Sequence, residues 1–238
     1  MNSVFPSIAP GQVHRWGGAV LIVARRSGSL GGFPSGSLRA PFLSPAEQRV
    51  VHALPAWRQA EWTAGRLLAK RLVGELVPVP ETEAEAGVEI LPRADGSPHV
   101  LVGGVPLPGL HLSISHTARH VAAALAPEPV GVDLCGTESA GAVRRAADHV
   151  LSPGELCLIG ADRPEAMAGA WALKEAAVKA DRTGIFGPAA RRIPLLGLRP
   201  PLLGGRRRAM AWRTGDTVLA LVLARAAAHC VGAPCPAG

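Results

Sequence analysis

The chain has 238 residues, enough for one large domain or two small ones with a substantial core. Hydrophobic residues make up 48% of it and charged residues 18%, which excludes an intrinsically disordered protein. The formal net charge of +7 permits an anionic partner such as nucleic acid, a phosphorylated cofactor or an acidic protein.

The cysteine pattern and the apolar segments limit the class of protein further. Cys135, Cys157, Cys230 and Cys235 form no CxxC pair and have no clustered histidines beside them, which argues against a zinc site. The N-terminus lacks the basic start and apolar core of a secretory signal, and no apolar run approaches the ~20 residues of a membrane span. We therefore expect a soluble cytoplasmic protein with reduced thiols.

Hydrophobic periodicity in the first half predicts short strands around two helices. The predicted elements are, in chain order, an irregular segment at 1–18, a strand at 19–24, a loop at 26–41, a helix from Ser44, a helix at about 57–76, strands at 88–91 and 110–115, and a strand or helix at 121–126. The first helix begins with a capping box in which Ser44 is the N-cap and Glu47 the third helical residue.

The second half repeats several of these features. A strand at 130–134 precedes a capping box, LSPGE at 151–155, which matches LSPAE at 43–47. A helix at about 165–180 and a strand at 217–224 follow. Trp171, Glu175 and Lys179 are spaced one turn apart, as are Trp62, Arg66 and Lys70.

We interpret this repetition as an internal duplication, although capping boxes are common enough for coincidence to be the alternative. The predicted fold class is α+β, a pseudo-dimer of two similar α/β halves at 1–126 and 127–238. A cleft between the halves is then the expected place for a ligand.

Two charged side chains lie on the second long helix among apolar neighbours. Glu175 and Lys179 project from one helix face, and a surface ion pair is the simplest interpretation. The apolar residues around them, such as Leu173 and Val178, indicate instead that both are partly buried and have a specific reason to be there.

Asp133 is a carboxylate inside an apolar strand. It either caps a neighbouring loop or is paired with a cation. Together with Glu175 it would supply two hard oxygen ligands, which suits Mg²⁺ because that ion binds one or two carboxylates and completes its shell with water and phosphate oxygens.

The segment SISHT at Ser113–Thr117 combines hydroxyls with an imidazole at a strand end. Ser113 and Ser115 share one strand face, and these groups with backbone N–H suit a phosphate. The alternatives are a polar strand edge and a packed core histidine at His116. A Ser/His nucleophile is disfavoured because the chain has no G-x-S-x-G elbow.

As a set, these elements resemble the phosphopantetheinyl transferases of the surfactin-synthetase-activating type. The matching pieces, spread over about residues 43–185, are Gly65-Arg66, Gly96-Ser97-Pro98, SISHT, Gly131-Val132-Asp133 and WALKEAAVK at Trp171–Lys179. The resemblance implies a Mg²⁺-dependent enzyme on a pseudo-dimeric fold. It would transfer the phosphopantetheine arm of coenzyme A to a serine of an acyl or peptidyl carrier protein and release 3′,5′-adenosine bisphosphate.

The resemblance also implies residue roles in catalysis. Asp133 and Glu175 correspond to metal ligands, and Glu175 also to the general base. Lys179 corresponds to a lysine that contacts the phosphates and the reacting hydroxyl. His116 is expected to offset negative charge beside it.

The implied coenzyme A contacts come mostly from the first half. Ser115 and His116 correspond to pyrophosphate contacts, as Lys179 does from the second half. Arg66 corresponds to a basic residue near the 3′-phosphate, and Arg93 is a further candidate there.

Two positions depart from the family pattern. Many members carry a third carboxylate where this chain has Cys135, and a thiol is a poor ligand for a hard cation, so we expect water in that coordination position. Ser97 stands where the family often has lysine, which predicts weaker phosphate binding unless nearby arginines compensate.

Two other classes of protein compete with the enzyme. Cys135 and Ser97 are also compatible with a non-catalytic relative that binds coenzyme A or a carrier protein. The net charge and Arg206–Arg208 raise the alternative of a nucleic-acid-binding protein, but only 4% of residues are aromatic and no recognition motif is present. We interpret the arginine run as a solvated turn and expect a monomer whose partners are coenzyme A and a carrier protein, with no nucleic acid and no membrane.

Overall fold

A computed structural model describes residues 3–26, 43–76, 87–183 and 189–224 of the chain. The helices are α1 (Pro45–His52), α2 (Ala56–Leu76), α3 (Ala140–Val150), α4 (Pro153–Ile159), α5 (Pro164–Asp181) and α6 (Ala189–Arg192), with a 3₁₀ turn at Thr137–Ser139. The strands are β1 (Val13–Trp16), β2 (Ala19–Arg25), β3 (Val88–Pro92), β4 (Pro98–Val102), β5 (Val105–Pro106), β6 (His111–His116), β7 (His120–Ala126), β8 (Val130–Gly136), β9 (Leu195–Leu198), β10 (Pro201–Leu203), β11 (Arg207–Thr214) and β12 (Thr217–Ala224).

The main elements stack in layers, with two antiparallel sheets between two long helices. The first sheet has the order β1-β2-β7-β6 and is covered by α2, and the second has the order β11-β12-β8 and is covered by α5. Their inner faces pack against each other through one apolar cluster, which includes Leu21, Val23, Ala122, Ala124, Val132, Leu134, Leu219 and Leu221. Strands buried on both faces read as continuous apolar runs, which explains the composition of β2, β7 and β12.

The predicted α+β class is confirmed at the level of a mixed α/β fold with several small sheets. The smaller sheets are β3-β4-β5 and the hairpin β9-β10. The long helices and the strands predicted at 19–24, 88–91, 110–115, 130–134 and 217–224 are confirmed to within a few residues at their ends, and the ambiguous segment at 121–126 is a strand. The predicted loop at 26–41 lies, apart from Arg26, outside the described residues. No helix in the described ranges is both long and apolar enough to cross a membrane.

Two predicted elements were wrong. Residues 1–18 were expected to be irregular, but Val13–Trp16 forms β1 because it pairs with β2 in antiparallel register. The arginine run was expected to be a solvated turn, but Arg207 begins β11, which pairs with β12 along its whole length. Arg208 is held there by Glu128 and by the carbonyl oxygen of Gly17. The apolar partner strand decided the conformation in both cases.

The two capping boxes form as predicted, and each glutamate makes the same set of further contacts. Glu47 accepts hydrogen bonds from the backbone N–H of Ile90 on β3 (2.8 Å) and from Lys70 on α2 (2.6 Å). Glu155 accepts them from Leu195 on β9 (2.5 Å) and from Lys174 on α5 (2.7 Å). Each glutamate therefore joins a helix start, a small hairpin and a long helix.

In these two sets of contacts, Lys70 of α2 corresponds to Lys174 of α5, whereas Trp62 does not correspond to Trp171. Lys70 lies eight residues after Trp62, whereas Lys174 lies three residues after Trp171. The two tryptophans therefore do not occupy matching positions relative to these contacts.

The N-terminal segment packs with the second half of the chain. Val4 and Phe5 belong to the apolar cluster around α5, and Glu165 accepts the backbone N–H groups of both, at 3.1 and 3.2 Å. Gly169 of α5 leaves space for the Phe5 ring, because a Cβ at that position would overlap the ring.

Gly169→Ala is therefore expected to lower the free energy of unfolding by about 1–3 kcal/mol, since the added methyl group overpacks the Phe5 contact. Gly74→Ala is the matched control in α2, because no atom lies within 4 Å of its added Cβ and alanine favours the helix. Urea denaturation compares the two variants. Equal stabilisation by both would contradict the packing of Phe5 on Gly169.

Candidate active site

The site forms where β8 runs directly beneath α5. Gly131 makes this approach possible, because a Cβ there would overlap the carbonyl oxygen of Ala176 and lie 2.7 Å from the backbone nitrogen of Ala180. On the side that faces β8, α5 carries small side chains, Ala176 and Ala180, which also allow a close approach. Strand and helix thus meet backbone to backbone, which brings Asp133 beneath Glu175 and Lys179.

Asp133 is buried, and its contacts show that it does not cap a loop. Its Oδ1 accepts a hydrogen bond from Lys179 Nζ (2.6 Å) and one from Ser115 Oγ (2.8 Å). Lys179 Nζ also donates to the carbonyl oxygen of Val132 (3.2 Å). The alternative of a loop cap is therefore wrong, and the predicted pairing of Asp133 with a cation is seen with the Lys179 ammonium.

Glu175 is 4% exposed, and its Oε1 has no hydrogen-bond partner among the described residues. Desolvation, reinforced by the nearby Asp133 charge and opposed by Lys179, raises the pKa of Glu175 to about 7. The interpretation of Glu175 and Lys179 as a surface ion pair is wrong, because Lys179 pairs with Asp133 and Glu175 is buried.

The donor set of Asp133 and Glu175 fits a magnesium ion. Both are hard carboxylate ligands that repel each other, and a dication between them would offset that repulsion and give Glu175 Oε1 a partner. In the described part of the chain, no group of three or more His, Cys, Asp or Glu side chains is arranged to hold a metal ion. A site built from two carboxylates and phosphate oxygens does not need such a group.

Cys135 shares a face of β8 with Asp133. It is buried, and desolvation together with the charges of Asp133, Glu138 and Glu175 raises the pKa of its thiol to about 12. The thiol is therefore neutral and remains a poor ligand for a hard cation. Glu138, which sequence reasoning missed, lies in the 3₁₀ turn just beyond, with its carboxylate over Gly136.

Ser113 and Ser115 lie on the same face of β6, as predicted, but their hydroxyls hydrogen-bond to the backbone of β8. Ser113 Oγ accepts the backbone N–H of Val132 (3.0 Å), and Ser115 Oγ accepts that of Leu134 (3.2 Å). The two serines thus join edge strand β6 of one sheet to edge strand β8 of the other. Ser115 belongs to the site as a hydrogen-bond donor to Asp133.

His116 is not a packed core histidine, because its side chain is 39% exposed. Its Nε2 lies 2.9 Å from Glu61 Oε2, and Arg26 binds the other oxygen of Glu61 at 3.0 Å. Burial lowers the pKa of His116, while Glu61 opposes this and Arg26 and Lys179 add to it. Sequence reasoning missed Glu61 and Arg26, since no local motif connects them to His116.

Arg66 and Arg93 have other partners than the Asp133 cluster. The Arg66 guanidinium is stacked 3.9 Å above the Trp62 ring, and burial, opposed by Glu47, lowers its pKa to about 10. Within the described ranges, no hydrogen bond or ion pair joins Arg66 to Asp133, Glu175 or Lys179. Arg93 donates to Ser97 Oγ (3.4 Å) and to the carbonyl oxygen of Pro98 (3.0 Å).

Two cavities adjoin the cluster. One, of about 340 Å³, has walls from both halves of the chain: the turn at Asp95–Pro98 and β6 on one side, and the end of α5 with Lys179 and Arg182 on the other. The second, of about 530 Å³, is lined by residues that include His116, Cys135, Glu138 and Trp171. Ligand sites are commonly cavities of this size with a few convergent polar groups.

Comparison with curated proteins gives no match to the chain. Asp133, Glu175 and Lys179, the three side chains at the centre of the cluster, all lie within residues 129–222, and this segment matches the family model of the 4′-phosphopantetheinyl transferase superfamily.

Proposed function

We propose that the protein is a phosphopantetheinyl transferase of the surfactin-synthetase-activating type. It transfers the phosphopantetheine arm of coenzyme A to a serine of an acyl or peptidyl carrier protein. The observation that carries this proposal is the buried pair Asp133 and Glu175, with Lys179 beside it, inside the segment that matches the superfamily.

Each side chain of the cluster has a task in this reaction. The carrier serine forms a bond to the phosphorus that bears the pantetheine arm, the bond from that phosphorus to 3′,5′-adenosine bisphosphate breaks, and Glu175 takes the hydroxyl proton. With Mg²⁺ bound, the charge of the ion would keep Glu175 ionised, which a general base requires. Asp133 and Glu175 would hold Mg²⁺, which when bound offsets charge on the phosphate oxygens. Lys179 adds positive charge beside them, and His116, whose pKa burial lowers, adds a hydrogen-bond donor.

The cavity of about 340 Å³, whose wall includes Lys179, is the proposed site for the nucleotide of coenzyme A. In this arrangement the nucleotide lies between the two halves, with its phosphates toward Lys179 and the carrier protein approaching from the side of the second cavity. Arg66 and Arg93 remain proposed contacts to the 3′-phosphate, and Ser115 and His116 to the pyrophosphate.

We also propose that the two halves arose by duplication. The repeated contacts of Glu47 and Glu155 support this, because each capping-box glutamate binds a backbone N–H of a small hairpin and a lysine of the long helix. Local sequence similarity alone does not require such matching long-range contacts.

The direct test is mass spectrometry of purified carrier proteins from fatty-acid, polyketide and peptide synthesis, each incubated with the protein, coenzyme A and Mg²⁺. A mass increase of one phosphopantetheine on the carrier serine is expected. Calorimetric binding of coenzyme A without transfer to any carrier would instead identify a non-catalytic relative.

Transfer is expected to slow severalfold with added salt at saturating coenzyme A, because the chain carries a net charge of +7 and carrier proteins are acidic. The measurement is kcat/KM for the carrier protein over a range of ionic strength. A rate indifferent to salt would contradict electrostatic docking.

Cys135→Glu is expected to lower the Mg²⁺ concentration needed for half-maximal activity, because the new carboxylate shares the strand face of Asp133. Without Mg²⁺, the added charge should also lower Tm, and Mg²⁺ should raise Tm more than in the wild type. The control is Cys157→Glu, since Cys157 is exposed on α4. An unchanged or higher Mg²⁺ requirement would mean that position 135 does not face the ion.

A further inference from the structure

The cavity of about 340 Å³ has one basic residue on its wall, Arg182, that the roles assigned above do not use. Arg182, at the end of α5, lines it opposite Ser97 and Pro98, and its guanidinium Nη2 lies 3.2 Å from His111 Nδ1. Arg93 reaches the same turn by donating to Ser97 Oγ and the Pro98 carbonyl. Arg182 therefore lines the cavity, and Arg93 binds the turn that forms part of its wall.

The backbone places Arg182 on this wall at an energetic cost. Its φ of 54° and ψ of 37° are left-handed, and in the described ranges it is the only non-glycine residue with positive φ. Glycine adopts this conformation without strain, whereas other residues usually do so where the surroundings or a function require it. The turn takes the side chain off the helix three residues after Lys179 and onto the cavity wall.

Positive charge at this wall exceeds negative charge. The pKa values of Arg93 and His111 are lowered mainly by burial and next by the charge of Arg182. The three groups therefore lie within electrostatic reach of one another. The carboxylate among them is Asp95, and its Oδ1 accepts hydrogen bonds from the backbone N–H and the hydroxyl of Ser97. A cavity wall that carries Arg182, Lys179 and one carboxylate, with Arg93 within electrostatic reach, favours an anion.

We propose that Arg182, with Arg93 and His111 beside it, forms a binding subsite for phosphate groups of the coenzyme A nucleotide. This inference rests on the proposed function. Arg182 supplies from α5 the cation that Ser97 does not supply from the β3–β4 turn. The fork of an arginine matches phosphate oxygens better than a single ammonium does.

The test is calorimetric titration of coenzyme A into Arg182→Gln. Glutamine has the same unbranched Cβ, so the left-handed backbone should be equally strained and the charge is the main change. Loss of one charge-assisted contact is expected to raise the Kd for coenzyme A about tenfold and to weaken its dependence on salt. Adding Ser97→Lys to Arg182→Gln should restore most of the affinity from the opposite wall.

The matched control is Arg208→Gln, which removes the same charge from an arginine that binds Glu128 on another surface. Its Kd should stay within about twofold of the wild type, the difference expected from loss of a remote surface charge. A Kd and salt dependence in Arg182→Gln equal to those of Arg208→Gln would overturn the subsite. If the wild type transfers phosphopantetheine and Arg182→Gln binds coenzyme A with unchanged affinity, only this inference is refuted. Failure of the wild type to bind coenzyme A would instead refute the proposed function.

Discussion

Glu175→Gln is expected to lower the rate of pantetheine transfer by about 10²–10³-fold or more, because it removes both the proposed base and one of two metal ligands. The substitution keeps the shape of the side chain. Mass spectrometry of a carrier protein that the wild type modifies gives the rate, with coenzyme A and Mg²⁺ both saturating. Retained activity would remove Glu175 from the mechanism.

The stability of Glu175→Gln separates a chemical effect from misfolding. Burial raises the pKa of Glu175 to about 7, so the folded state favours the protonated form and its stability falls as pH rises from about 4.5 through 7. Glutamine cannot ionise, so without Mg²⁺ the variant should be at least as stable as the wild type at pH 8. A large loss of stability there would show that the inactivity reflects unfolding.

Glu165→Gln, on the same helix, is expected to lower stability and to leave the transfer activity unchanged. Glu165 Oε1 accepts hydrogen bonds from Ser3, Val4 and Phe5, which hold the N-terminal segment against α5. Neutralising this acceptor should weaken the attachment of the segment and lower Tm, whereas the folded variant should keep its transfer activity. The two glutamates of α5 are thus distinguished by burial and partners rather than by residue type.

Much of the fold was predictable because its signals are local. A capping box lies within five residues, and β2 and β12 can be recognised from their consecutive apolar residues alone. Asp133 was predictable for the same reason, since a carboxylate inside such a run needs a partner. β1 was missed because its sequence, VHRW, carries no strand pattern and depends on pairing with β2.

The missed parts of the site depend on contacts between residues far apart in the chain. Arg26, just after β2, and Glu61 of α2 were missed because only the fold brings them to His116 of β6. Ser115 was predicted to contact phosphate from its hydroxyl and from the family resemblance, and that contact stays a prediction. The sequence did not show that β8 would run beside β6 and supply an N–H and a carboxylate to it.

Lys174→Met is expected to lower the free energy of unfolding by about 3–5 kcal/mol, because it leaves the buried Glu155 carboxylate without its cation. Lys174 is fully buried and lies 2.7 Å from Glu155. It also donates to the carbonyl oxygens of Ala190 (3.1 Å) and Ile193 (2.6 Å), which methionine cannot do. Urea denaturation at neutral pH measures the loss.

Two further variants test whether charge pairing or packing causes that loss. Lys174→Met with Glu155→Gln should recover part of the stability, since no charge is then left unpaired in the core. Lys70→Met should cost less, because the Lys70 side chain is 14% exposed and water can reach its end of the contact with Glu47. A loss below about 1 kcal/mol for Lys174→Met would contradict a charged pair. Lys174 precedes Glu175 on α5, so this buried pair anchors the helix one residue before the proposed base.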